Sequence, residues 1–318
     1  MLRQVITLSR IAALLVRVAA CIGPSFAVAA DGNLAIERPA LGSTIRIETS
    51  ARFAGAVSSL VFRGKQYVDI RDHGRELQSA SSFDGLGECF NPTEAGSVAD
   101  KDGPSSSSKL LGAKTGPNWI ETSTDMAFWL PPGYDYKHAC GTTPSVTHAA
   151  NKDVRGGHIL DKRLEIGEGN EPNVIVDRVT YTVPEAHGSA TFEAATIYTP
   201  IDFSKRYVLN FDTRNVEPTT LIGEDQWPTI LATADGSQAV AVFSPFLPQQ
   251  QPPRGYGTFA FPNTNKLNCV FREKPIAAGG HYSYVCYFVV GTLDEVKASL
   301  FRLHERASME RQGDKKGH

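Results

Sequence analysis

Apolar and polar residues alternate in short runs along most of the chain, the period of half-buried strands rather than of helices. Leu34, Ile36, Ile45 and Ile47 alternate around Pro39 and Gly42, which predicts a strand pair over 33–49. Val57–Phe62 and Gln66–Ile70 flank Arg63-Gly64-Lys65, a turn of hairpin length. Further strands are expected at Trp119–Leu130, Arg206–Asp212, Thr229–Ala234, Ala239–Phe243, Asn268–Arg272 and His281–Val290. Val174–Val183 and Gly188–Thr199 read as the two arms of one β-hairpin. The Gly-rich polar stretch 72–108 and the segment 134–157 read as loops. One helix closes the chain: Thr292 stands three residues before Glu295, a capping-box spacing, and Val296, Leu300 and Leu303 form its apolar stripe. Neither a repeat nor a dividing linker is visible. The pattern predicts an all-β antiparallel sandwich or barrel with one C-terminal helix, a single domain over 31–318.

Residues 1–30 depart from this pattern. Arg3 and Arg10 precede the apolar run Ile11–Ile22, Pro24 follows, and Ala27-Val28-Ala29-Ala30 offers small residues for cleavage. That order predicts a secretory signal segment and a secreted or periplasmic protein. Val18-Ala19-Ala20-Cys21 offers a second reading, a lipoprotein box with a lipid anchor at Cys21. No other stretch approaches the roughly 20 apolar residues of a membrane span. Export leaves Cys89, Cys140, Cys269 and Cys286, which allow three disulfide pairings. Cys269 with Cys286 is preferred because both sit in strand-like runs, leaving Cys89 with Cys140; free buried thiols are the alternative. No cysteine pair has zinc-site spacing or a neighbouring His, so neither metal nor cofactor is expected. Acidic loop residues Asp100 and Asp102 near Glu94 are a weaker calcium option. A formal net charge of −2 gives no basic field for nucleic acid.

Chemistry-bearing side chains concentrate in Asp72-His73-Gly74-Arg75-Glu76-Leu77-Gln78 and Asn91-Pro92-Thr93-Glu94. His73 exchanges protons near neutrality, Arg75 forks onto oxygens, and Gln78 and Asn91 read hydroxyls. Glu94, paired with Asp100 or Asp212, is the carboxylate choice for hydrolysis. Tyr256 with Arg254 and His73 or His158 is the choice for β-elimination. Arg214, at a strand end beside Asp212, and Trp227, in the polar loop Gly223–Pro228, are candidate sugar contacts, Trp227 through its ring face. Each has a plainer reading: a turn ion pair for Asp72 and Arg75, a solvated loop for His73, core packing for Trp129 and Trp227. No Gly-x-Ser-x-Gly elbow, P-loop or His-Glu-x-x-His appears.

The hairpin Ser59–Val68, the Gly-Arg turn in Asp72–Gln78 and the Asn-Pro loop Asn91–Gly96 together resemble the N-terminal part of galactose-mutarotase-like proteins. The resemblance covers residues 55–100 and implies an antiparallel supersandwich with a sugar site on its concave face. It implies a carbohydrate partner, with epimerases, lyase domains, glycosidase domains and plain sugar binders all in the group. The epimerase pair of a His acid and a late Glu base has no matching motif here. The expectation is an exported carbohydrate-active protein, a glycoside hydrolase or polysaccharide lyase. A non-catalytic sugar-binding module and a structural envelope protein are the alternatives.

Overall fold

The computed structural model describes residues 31–247 and 255–314. The expected signal segment with Cys21, and Arg254, lie outside the described residues. The strands are β1 (Ala35–Ala40), β2 (Ser43–Thr49), β3 (Val57–Phe62), β4 (Lys65–Gln66), β5 (Leu77–Phe83), β6 (Pro92–Thr93), β7 (Lys109–Thr115), β8 (Trp119–Phe128), β9 (Arg155–Glu168) and β10 (Glu171–Val183). They continue as β11 (Ala190–Pro200), β12 (Lys205–Asn210), β13 (Asn215–Pro218), β14 (Gly223–Asp225), β15 (Thr229–Ala232), β16 (Ala239–Phe243), β17 (Tyr256–Ala260), β18 (Thr264–Glu273) and β19 (Gly280–Gly291), before helix α1 (Leu293–Asp314).

Antiparallel pairing arranges these strands along two paths. One runs β7-β8-β9-β10-β19-β16-β15-β12-β13. The other runs β14-β17-β18-β11-β5-β3-β2-β1. Short β6 pairs with both β5 and β8 and joins the two. The paths pack face to face: the Tyr181 hydroxyl on β10 donates to the Ala80 and Glu193 carbonyls of β5 and β11. The Phe192 ring of β11 lies 4.8 Å from Tyr181 and 5.4 Å from Tyr284. A disulfide between Cys269 on β18 and Cys286 on β19 ties one path to the other, and a second links Cys89 to Cys140, the preferred pairings. The result is the expected all-β supersandwich with one C-terminal helix. Helix α1 opens on the predicted capping box. The Thr292 N–H donates to the Glu295 carboxylate, and the Glu295 N–H to the Thr292 hydroxyl. Its buried Val296, Leu300 and Leu303 cover part of β15, β16 and β19. No described helix is long and apolar enough to cross a membrane.

Four expectations need correction, the simplest being Gln66–Ile70, of which only Gln66 belongs to a strand, β4. Val174–Val183 and Gly188–Thr199 are strands but not a hairpin. β10 lies between β9 and β19, and β11 lies between β5 and β18, so the chain crosses from one layer to the other between them. Alternation marks a strand without naming its partner. Within the supposed loop 72–108 runs β5, almost wholly buried despite its serines. The Ser79 hydroxyl donates to the Ala194 carbonyl, which removes the cost of burying it. β9 begins inside the supposed loop 134–157; its buried positions His158, Leu160, Lys162, Leu164 and Ile166 include two polar residues that break the apolar signal.

Candidate functional site

The outer face of β5, β11 and β18, away from the sandwich core, forms the floor of a cleft of about 610 Å³. Gln78 and Ala80 stand two apart on β5 and share that face. Glu193, Thr196 and Tyr198 of β11 share it too, although the step from 193 to 196 is odd. A β-bulge after Glu193, where the register against both β18 and β5 shifts, restores the phase. Lys266 completes the floor from β18. The walls are loops carrying Arg71 to Arg75, Glu88, Asn91, Lys101, Asp102, Trp129, Tyr136 and Phe261. Glu88 sits on the 3₁₀ turn Gly87–Phe90, next to Cys89, so the Cys89–Cys140 disulfide anchors its wall to the loop that carries Tyr136.

Two carboxylates in this cleft are in opposed environments. Glu193 accepts from Lys266 Nζ at 2.7 Å, Asn268 Nδ2 at 2.8 Å and the Thr196 hydroxyl at 3.1 Å. Burial alone would raise its pKa, but the Lys266 charge and these hydrogen bonds outweigh burial and hold it below the usual carboxylate range. The same ion pair raises Lys266 against its own burial, so it stays a cation. Glu88 has no such partner. The protein around it raises its pKa, Glu193 adds to the rise and Lys266 opposes it. Its side chain still opens onto the cleft, so water there limits the rise that a sealed carboxyl would show. Two cleft arginines are paired: Arg75 with Asp72 at 2.7 Å and Arg71 with Asp69 at 2.7 Å. Trp129, Tyr136, Tyr198 and Phe261 supply ring surface, the last two with centroids 6.1 Å apart.

Of the residues singled out from sequence, His73, Arg75, Gln78 and Asn91 line the cleft. The His73 ring is directed away from open space: Nδ1 lies 2.8 Å from the Lys101 carbonyl and Nε2 2.9 Å from that of Arg52, while Phe53 packs edge-on. Gln78 spans the Gly74 carbonyl and the Ala95 N–H. Glu94 is sealed in the interior, accepting from Lys162 Nζ at 2.5 Å and from the Ser79 N–H at 2.8 Å. Asp212 lies in an exposed turn, its N–H bound to Asn210, and Arg214 pairs with Glu305 of α1 at 2.5 Å. Trp227 packs edge-on against Phe211. Tyr256 is buried against Ser244, and burial raises its hydroxyl pKa. His158 is buried among Phe83, Phe90 and Phe128, and burial lowers its pKa to about 4. None of these last six, Glu94, Asp212, Arg214, Trp227, Tyr256 and His158, lines the cleft.

Sequence reading passed over Glu88, Glu193, Tyr198 and Lys266. The one signal available was Glu193, the single charged residue of β11, followed by Ala194-Ala195 where the alternation breaks and a bulge accommodates it. Gly74 bears on the site through its backbone: φ is +85°, and a Cβ there would lie 2.3 Å from the Trp129 ring. Gly74→Ala is expected to cost about 1–3 kcal/mol in urea unfolding and to weaken ligand binding by displacing Trp129; unchanged stability and binding would remove Gly74 as the residue that seats that ring.

No family model matches the chain, and no curated protein matches it in sequence. Among solved structures it is similar in fold to a galactose mutarotase-like protein from Lactobacillus casei, with 8% identity, TM-score 0.46 and coverage of 81% of this chain and all of that one. It is similar to an α-galactosidase from Geobacillus stearothermophilus, with 7% identity, TM-score 0.45 and coverage of 86% and 42% of the two chains. A mutant heparan sulfate lyase from Pedobacter heparinus aligns at 9% identity and TM-score 0.40, over 85% and 37%.

Proposed function

We propose that this is an exported glycoside hydrolase acting on a neutral glycan in the cleft, with Glu88 as general acid and Glu193 as the ionised partner carboxylate. The observation that carries this is the opposed tuning of the two carboxylates in one aromatic-lined recess: Glu88 is held protonated longer, and Glu193 is held ionised. Acid and base roles are divided in this way wherever environments push two titrating groups apart. Protonated Glu88 donates to the leaving glycosidic oxygen, and Glu193 activates water or attacks the anomeric carbon. Gln78 and Asn91 contact hydroxyls, and Trp129, Tyr136 and Tyr198 offer ring faces to the C–H side of a pyranose. Charge selects the substrate class. Arg71, Arg75, Lys101 and Lys266 are matched by Asp72, Asp102, Glu193 and Asp69, the partner of Arg71, even with Glu88 protonated, so the cleft lacks the net positive field a polyuronate would require. Elimination is less well supported: Tyr256 lies outside the cleft, and burial raises the hydroxyls of the cleft tyrosines Tyr136 and Tyr198. The two disulfides fit a secreted or periplasmic setting.

The test is incubation of the purified protein with neutral and uronate glycans, following reducing ends together with absorbance of unsaturated uronates. Reducing ends from a neutral glycan, without new absorbance, are expected. Absorbance would replace hydrolysis with elimination, and calorimetric binding without either product would reduce the protein to a sugar-binding module.

A further inference from the structure

Among the described residues, His158, Glu185 and His187 bring one ligand atom each within 4.8 Å of one another. None of them lines the cleft. His158 stands near the start of β9, whereas Glu185 and His187 lie in the crossing between β10 and β11, so the group joins the two layers at one end of the sandwich.

The chemistry of the group is that of a metal site. His158 is 1% exposed, and neither of its ring nitrogens has a hydrogen-bond partner. A buried imidazole with nothing to donate to or accept from is costly, because desolvation goes uncompensated. His187 Nε2 is likewise buried and without a hydrogen bond, 3.6 Å from a Glu185 carboxylate oxygen. Its other nitrogen is held: Nδ1 lies 2.8 Å from Asp84 Oδ2, while Asp84 Oδ1 accepts from the Gly188 N–H at 2.7 Å. Asp84 thereby fixes the proton on Nδ1 and leaves the Nε2 lone pair directed at the group. This is the carboxylate–histidine–metal arrangement by which an outer carboxylate orients a ligand. Phe83 stacks on the His187 ring at 4.3 Å, and Phe83, Phe90 and Phe128 wall His158. Bonds of roughly 2.0–2.1 Å in tetrahedral geometry put ligand atoms roughly 3.3 Å apart, so small side-chain rotations close the group. Glu185 is exposed, which leaves a path from solvent and a fourth position for water.

We propose that His158, His187 and Glu185 bind one divalent transition-metal ion of the zinc type, with Asp84 positioning His187, and that the ion pins the 184–189 crossing onto β9. Two imidazoles and one carboxylate suit zinc rather than calcium or magnesium, which take oxygen ligands.

The probe is zinc chloride, titrated calorimetrically into the full chain after chelator treatment. The expected result is saturable binding of about one ion per chain and a zinc-dependent rise in melting temperature. Glu185→Gln and His187→Gln alter partly exposed loop residues and spare the buried His158; both should lose at least 10-fold in affinity, and His187→Gln should lose the thermal response. Asp84→Asn should weaken binding 10–100-fold. His138→Gln, at an exposed His elsewhere, should change nothing. Absence of saturable binding in the parent overturns the proposal, as does parental affinity in a folded His187→Gln variant.

Discussion

Glu88→Gln is expected to lower kcat on the neutral glycan by about 10²–10⁴-fold, the usual contribution of a positioned general acid, with little change in KM. The pH profile carries the sharper reading. The pKa of Glu193 is lowered by Lys266 and its hydrogen bonds, and that of Glu88 is raised by the protein around it. Activity should therefore rise with pH as Glu193 ionises and fall at higher pH as Glu88 loses its proton, with an acidic optimum between. In Glu88→Gln the alkaline fall should vanish, because the amide has no proton to lose there. In Glu193→Gln the acid rise should vanish, with a similar loss in kcat. Lys266→Met should move the acid limb upward, since Lys266 is the charge that holds Glu193 ionised. An alkaline limb that persists in Glu88→Gln would assign the acid to another group, and full activity in Glu193→Gln would end the two-carboxylate reading.

The strand content was legible because alternation survives wherever one face of a strand is buried. Hairpin β1–β2 and strands β8, β12, β15, β16 and β19 fall where the pattern put them. The capping box was legible because it is local. Order within the layers was not: β10 and β11 each look like a hairpin arm, and only tertiary packing assigns them to different layers. Strands with buried polar residues were hidden too. β5 carries Ser79, whose buried hydroxyl bonds to backbone, and β9 carries His158 and Lys162 facing inward.

The candidate site was half legible for the same reason. The Asp72–Gln78 turn and Asn91 stood out because Gly, Arg and amides cluster there, and they line the cleft. Glu88 lay in an unremarked Gly-rich turn, and Glu193 and Lys266 are brought together by pairing of β11 with β18 across 73 positions of sequence (266 − 193). The His158–Glu185–His187 group has the same cause: only the 185/187 pair, in the crossing after β10, is local, and His158 comes from β9. Glu94, chosen as a catalytic carboxylate, shows the converse. Its position beside Asn91 suggested a site, while its side chain points into the interior toward Lys162.

That interior group yields the largest expected stability effect. The side chains of Lys162 and Glu94 are 2% and 0% exposed, and their ion pair lies near Asp177, a buried carboxyl neither of whose oxygens has a hydrogen-bond partner. Removing one member of a buried pair leaves the other charge desolvated and unmatched, at a cost of about 3–5 kcal/mol. Lys162→Met should lose that much in urea unfolding at pH 8, and adding Glu94→Gln and Asp177→Asn should restore much of it by removing the charges left behind. The pH dependence fixes the cause. Burial pushes Asp177 up to about 7 from 3.8, Lys162 opposing the rise and Glu94 adding to it. A carboxyl whose folded pKa exceeds its unfolded one binds its proton more tightly when folded, so its contribution to stability falls as pH rises from about 4 to 7. Asp177→Asn should flatten the parent's stability across that window. Without Lys162, which opposes the rise, Asp177 takes up its proton more readily, so the deficit of Lys162→Met should be smaller at pH 5 than at pH 8. Equal deficits at the two pH values would mean that Lys162 stabilises through packing of its aliphatic stem rather than through its charge.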